Sequence, residues 1–186
     1  MKCPVDQQVL KHDDIESGLP AYACPHCDGH WMRFGDYLRW RDEQPGDWPE
    51  TTGHTPAAPE VAVGSGPATP GSVARRCPDC QYLLTRFKVG HGVSFALDRC
   101  GNCNGVWLDQ GEWGGLRARG LHDNLHEMFG TAWQAEVRTQ AQREVTESQF
   151  RRQLGTDFEK VNLFGRWLAE HPRASELIAY LQWMVK

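Results

Sequence analysis

Seven cysteines carry the most specific chemistry in this 186-residue chain. Four of them form two Cys-x-x-Cys pairs, Cys77/Cys80 and Cys100/Cys103, with 19 residues between the pairs. Two sulfurs on one short turn can face a single ion, and a second turn completes a tetrahedron. Structural zinc prefers such a donor set, and four protein sulfurs leave no coordination place for water or substrate. Iron takes the same four thiolates in rubredoxin-like sites and stays open as an alternative. The odd number of cysteines argues against a complete disulfide framework. In a reducing compartment, paired Cys-x-x-Cys turns read as metal ligands.

The other three cysteines fall into a related pattern upstream. Cys3-Pro-Val-Asp6 is followed, after 17 residues, by Cys24-Pro-His-Cys27. Aligning the second cysteine pairs superposes Gly29 on Gly105, Trp31 on Trp107, Met32 on Leu108, Gly35 on Gly111 and Asp36 on Glu112. The chain therefore contains an internal repeat. Asp6 stands where the second copy has Cys80, and a carboxylate oxygen is an acceptable zinc ligand. His12, His26 and His30 are rival donors for that fourth place, and a metal-free first copy is a third reading. A mixed set should hold zinc more weakly than four sulfurs.

Local signals indicate what positions these residues. Residues 82–89 and 93–99 are β-prone runs flanking Gly90-His91-Gly92, a hairpin pattern. Asp109-x-x-Glu112 has the form of a capping box ahead of a short helix near 110–118. Beyond residue 119 the period changes. Leu121, Leu125, Phe129, Trp133, Val137, Ala141 and Val145 recur every fourth residue, a one-sided helical stripe. Gly130 before Thr131-x-x-Gln134, and Gly155 before Thr156-x-x-Glu159, mark restarts. Pro172 ends one helix ahead of a last one, and three or four helices are expected to pack together through Phe158, Val161, Phe164, Trp167, Leu168, Leu177, Ile178 and Leu181. Residues 44–72 hold 6 prolines and 5 glycines with few large apolar side chains, the composition of a flexible linker.

Cys77-Pro-Asp-Cys80 followed by CGNCNGVWLDQGE at 100–112 resembles the TFIIB-type transcription factor zinc-finger family. That family's hallmark is Cys-Pro-x-Cys and then Cys-x-x-Cys-x-Gly-Val-Trp-Leu-Asp-x-Gly-Glu, which residues 100–112 match throughout. Residues 1–40 resemble a diverged copy, with His30 for Val, Met32 for Leu and Arg33 for Asp; the CPVD opening resembles a variant within the family. The resemblance implies a zinc-binding ribbon, with a role near transcription suggested by fold analogy. It covers neither the linker nor the helical tail.

The expected architecture is α+β. Two small zinc-ribbon units, each a β-hairpin plus a short helix, occupy 1–43 and 73–118; the linker spans 44–72 and an α-helical region 119–186. Two Zn2+ sites are expected, at Cys77, Cys80, Cys100 and Cys103 and at Cys3, Asp6, Cys24 and Cys27. Net charge is -4, and residues 117–186 balance 10 Lys/Arg against 9 Asp/Glu. No segment carries the basic stripe that phosphate-based nucleic-acid binding uses. No secretory signal or membrane-spanning run is evident, so a cytoplasmic location is expected. Asp109 and Glu112 fit a helix cap better than a catalytic pair, and His122 with His126 lacks the intervening Glu of HExxH. Trp31 and Trp107 are expected to shield the metal sites by packing. The chain reads as a zinc-binding adaptor rather than an enzyme. It would present a surface to a protein or nucleic-acid partner, with self-association through the C-terminal helices as a further expectation. The alternative is a thiol- or zinc-responsive regulator that releases metal from the Cys3/Asp6 site.

Overall fold

The computed structural model describes residues 1–44 and 74–185. Of the Pro/Gly-rich segment 44–72, only Gln44 lies within the described residues. Two compact units are present, Met1–Val137 and Arg138–Lys186.

Each repeat in the first unit begins with a hairpin. In the first copy, β1 (Lys11–Glu16) and β2 (Leu19–Ala23) are antiparallel; β3 (His30–Met32) then adds to β2, and α1 (Phe34–Glu43) follows. In the second copy, β4 (Leu84–Gly90), β5 (Val93–Cys100), β6 (Val106–Leu108) and α2 (Glu112–Ala118) repeat this order. The expected β4–β5 turn is a two-residue loop. His91 and Gly92 both have positive φ, 51° and 74°, the backbone pattern of a type I′ hairpin.

The two copies do not stay separate. Strand β3 pairs antiparallel with β6, placing Trp31 opposite Trp107, His30 opposite Leu108 and Met32 opposite Val106. One six-stranded sheet results, ordered β1-β2-β3-β6-β5-β4. Each ribbon would otherwise expose the backbone groups of a three-residue edge strand, and edge-to-edge pairing satisfies both.

Alternation along β3 and β6 divides the side chains between two layers. Met32, Val106 and Leu108 enter a core with Leu19, Tyr37, Trp40, Leu97 and Leu116, beneath the helices. Trp31 and Trp107 instead enter a second cluster with Cys3, Cys24, Cys77 and Cys100. Cysteines from both candidate centres therefore share one apolar cluster.

The tetrad stripe has two fates. Leu121, Leu125 and Phe129 are buried around the short helix α3 (Leu125–Met128), and Val137 is buried near the start of α4 (Thr131–Leu154). Trp133 Nε1 donates to the Val89 carbonyl at 2.8 Å, and Gln134 Nε2 donates to Lys88 O at 2.9 Å, so this helix start covers the outer edge of β4. Tyr37 of α1 accepts the Leu125 N–H through its hydroxyl, at 3.3 Å. At the other end of the stripe Val145 is exposed.

A 3-10 turn (Gly155–Asp157) leads from α4 into α5 (Phe158–Glu170), and Pro172 stands between α5 and α6 (Ala174–Met184). Both restarts fall where the glycines mark them. The expected packing differs. Phe158 is buried, whereas Val161, Phe164, Trp167 and Ile178 are exposed and Leu168, Leu177 and Leu181 are only partly covered. Helical periodicity marks an apolar face, but the short α5–α6 hairpin covers only part of it. Among the described residues no helix is long and apolar enough to cross a membrane.

Candidate metal centres

Each ribbon carries two copies of one cysteine turn. Cys77 N–H donates to Tyr82 O at 2.7 Å, and Gln81 N–H returns to Cys77 O at 3.0 Å. Cys3 does the same with Gln8 and Gln7, Cys24 with Gly29 and Asp28, and Cys100 with Gly105 and Asn104. The turn requires a left-handed residue after the second ligand. Gln7, Asp28, Gln81 and Asn104 supply it, with φ of 65°, 53°, 62° and 63°. Short polar side chains tolerate that region best, and Asp28 and Asn104 fit this preference. Gln7 and Gln81 instead each donate their side-chain amide to the cysteine carbonyl of their own turn, at 3.1 Å. Backbone N–H groups also point at the sulfurs, as from Cys80 to Cys77 Sγ at 3.4 Å and from Cys103 to Cys100 Sγ at 3.5 Å. Such donors stabilise thiolates.

These turns gather the second set as the spacing predicts. The ligand atoms of Cys77, Cys80, Cys100 and Cys103 all lie within 4.8 Å of one another. Cys77 Sγ is 3.5 Å from Cys103 Sγ, and Cys80 Sγ is 3.4 Å from Cys100 Sγ. A regular tetrahedron with Zn–S bonds of about 2.3 Å has sulfur edges of about 3.8 Å, so little adjustment would seat the ion. Burial pushes the Cys77 and Cys103 thiols up, while hydrogen bonding to Asn102 first among its neighbours draws Cys80 down to about 6. Crowded sulfurs of this kind suit a dication that displaces their protons.

In the first copy the fourth donor is Asp6. Its carboxylate lies with the sulfurs of Cys3, Cys24 and Cys27, all within 4.8 Å of one another, and is 3.5 Å from Cys24 Sγ. Cys3 Sγ and Cys27 Sγ are 3.7 Å apart. Hydrogen bonding, foremost from Cys3, holds the Asp6 carboxyl well below the usual range, and burial with Asp6 nearby pushes Cys3 up. None of the rival histidines joins the cluster. His26 Nδ1 lies 2.8 Å from Asp6 Oδ2, so it supports the carboxylate from outside; His30 faces Asp13 at 3.9 Å, and His12 packs edge-on to Tyr22. Both donor sets fit Zn2+, as four sulfurs and as three sulfurs with one oxygen.

Both tryptophans are packed, each over the opposite ribbon. A Cβ placed on Gly105 would lie 2.2 Å from Trp31, and one on Gly29 would lie 2.3 Å from Trp107. Only glycine leaves room for each ring. Trp31 Nε1 donates to Asp79 at 3.1 Å, within the Cys77–Cys80 turn of the other copy. Arg33 adds a bidentate pair to the same carboxylate, with both distances 3.1 Å. Asp79 is held low by Arg33 as a result. The pseudo-equivalent of Arg33 is Asp109, which accepts from Trp107 Nε1 at 2.8 Å and from Arg75 at 2.9 Å.

The expected capping box at Asp109-x-x-Glu112 does not form: Gly111, with φ of 80°, is the N-cap of α2 and Glu112 is its first residue. Glu112 accepts the Asp109 N–H at 2.8 Å, but the Asp109 side chain is committed to Arg75 and Trp107 rather than to the helix. Arg75 and Arg86 also neutralise buried Asp98, at 2.7 and 2.9 Å. His122 is buried against Trp40 and Trp113 before α3 begins, and His126 is exposed beside Arg41, so the two do not share a helix face.

Sequence inspection missed the Arg33–Asp79 pair and the reciprocal glycine contacts. A signal was present for the first, since Arg33 departs from the repeat at a position where the other copy has Asp109. Comparison with known proteins gives a consistent result: residues 2–43 and 76–114 match the transcription factor zinc-finger family. No curated protein and no solved structure matches the chain. The repeats that build this sheet are thus two zinc-ribbon domains of the transcription factor zinc-finger family.

Proposed function

We propose that this protein is a non-enzymatic zinc-ribbon adaptor, in which two metal-stabilised ribbons form a rigid base and the C-terminal helices engage a protein partner. The observation that carries the reading is the apolar surface of α5 and α6. Leu163 is 73% exposed, Trp167 51% and Trp183 72%, next to Phe164, Ile178 and Tyr180. Phe164 packs against Trp167 and Tyr180 against Trp183, and exposed aromatic and aliphatic side chains of this kind mark association sites in soluble proteins. Four-sulfur ligation leaves no open metal position for a reacting water, which favours scaffolding over catalysis. A cytoplasmic location goes with this reading, because reduced thiols are needed to hold zinc. Self-association through the same helices is the simplest form of the engagement.

Affinity capture with the zinc-loaded full chain, compared with the Trp167→Glu, Trp183→Glu variant, tests the proposal. Loss of specific partners, or of a dimer by light scattering, with ribbon zinc content unchanged supports it. Identical association by both chains sinks it. Nucleic-acid binding is the lesser form of the adaptor, since no segment is strongly basic. A steep salt dependence of binding to random-sequence DNA or RNA would favour it.

A second reading, a thiol- or zinc-responsive regulator, is supported by the mixed donor set at Cys3, Asp6, Cys24 and Cys27. Fewer sulfurs and a carboxylate make this the more easily released ion. Zinc release at low peroxide from this site before the four-sulfur one would support it, and simultaneous loss only at high dose would count against it.

A further inference from the structure

The two ligand clusters are built into one another. Gly105 O accepts the Cys100 N–H at 2.9 Å and thereby closes a ligand turn of the second centre. Trp31 of the first ribbon lies directly against Gly105. In the mirror arrangement, Gly29 O closes the Cys24 turn at 2.8 Å beneath Trp107 of the second ribbon. Asp79, between ligands Cys77 and Cys80, takes hydrogen bonds only the first ribbon provides, from Trp31 Nε1 and from the Arg33 guanidinium. Strand β3, which carries Trp31 and leads to Arg33, has three residues and follows directly on the Cys24–Cys27 turn.

We propose that the two metal centres bind as a coupled pair. An ion at Cys3, Asp6, Cys24 and Cys27 raises the affinity of Cys77, Cys80, Cys100 and Cys103 for zinc, and the reverse holds equally. Trp31, Trp107 and the Arg33–Asp79 pair transmit the effect. Small ribbons order their ligand turns largely through the metal. When the first centre is empty, β3 loses its anchor at Cys24 and Cys27, and Trp31 and Arg33 are no longer held against Gly105 and Asp79. The second centre must then organise its own turns as it binds. Linkage requires the factor to be the same in both directions, and couplings of this type run about 5–150-fold. The inference concerns only this chain and its ions, so it stands whether or not the adaptor reading does.

The test uses the full chain, with zinc affinity measured by chelator competition and Co2+ absorption identifying which cluster is loaded. Disabling the first centre with Cys24→Ser and Cys27→Ser should weaken zinc at the four-sulfur cluster by about 5–150-fold. An affinity within about twofold of the parent chain overturns the proposal. Trp31→Phe with Arg33→Gln keeps all eight ligands but weakens the contacts to Asp79, and it should lower zinc affinity at the four-sulfur cluster with its sulfurs intact. If the serine variant binds no zinc at all, this second variant decides. Parent-like affinity at both of its centres sinks the coupling, and weakened loading upholds it.

Discussion

Glu112 is almost fully enclosed, and burial raises its carboxyl to about 8. A group whose folded value lies above its unfolded one, near 4.5, binds its proton more tightly in the fold. Its stabilising share is complete below about pH 4.5 and is lost as pH rises through 8, at up to about 1.4 kcal/mol for each pH unit crossed. Glu112→Gln keeps an oxygen for the Asp109 N–H. It should flatten the stability–pH profile between about 6 and 8.5, measured by denaturation with zinc saturating; an unchanged slope there would contradict the assignment. His26 illustrates a different residue-scale effect. Its ring nitrogen orients the Asp6 carboxylate from outside the ligand cluster, and such supporting contacts are worth about 10–100-fold in metal affinity. His26→Ala should weaken the first centre toward the low end of that range, because the ring is exposed, and Asp6→Cys should tighten it. Chelator competition reads both.

Among the elements, hairpins and helix starts were legible because their signals are local. Gly90-His91-Gly92 demands a tight turn whatever surrounds it, and Gly130 and Gly155 interrupt helices by their own backbone freedom. The edge pairing of β3 with β6 was not legible, since three-residue strands carry too little alternation to name a partner. Its cost of disruption can be measured at glycine. Gly105→Ala would drive a methyl into Trp31, where the Cβ would stand 2.2 Å from the ring. The overpacking should destabilise the ribbon unit by about 1–3 kcal/mol in chemical denaturation. Gly114→Ala meets nothing within 4 Å and lies in helix α2, so it should leave stability unchanged or raise it slightly. Equal effects from the two would mean that the tryptophan seat is not tight. The α5–α6 face shows the opposite limit of pattern reading: its apolar period is evident, while the degree of cover is a property of neighbours.

At the scale of the whole molecule, metal and fold are one equilibrium. The ribbon sheet is small, and structural zinc contributes about 10–16 kcal/mol in comparable modules, beyond the ~5–15 kcal/mol that domains of this size retain. Chelation should therefore abolish the sheet signal and the near-ultraviolet signature of Trp31 and Trp107 together, because both rings sit in the cluster that holds Cys3, Cys24, Cys77 and Cys100. Circular dichroism during chelator titration measures this. A sheet that survives complete zinc removal would show that the apolar layer under α1 and α2 suffices alone.

Seven of the donors were decided by the sequence on its own, as cysteines at fixed short spacings within an internal repeat, whereas the eighth place was settled only when the structure set the Asp6 carboxylate, and no histidine, among Cys3, Cys24 and Cys27. A metal turn is a local object, closed by hydrogen bonds among about six consecutive residues, so type and spacing suffice to predict it. Only the tertiary structure decided that the two ribbons share a sheet, that each tryptophan rests on the other's glycine, and that Arg33 answers Asp79. Those contacts join positions dozens of residues apart, and they depend on strand pairing and close approach, which spacing along the chain does not encode.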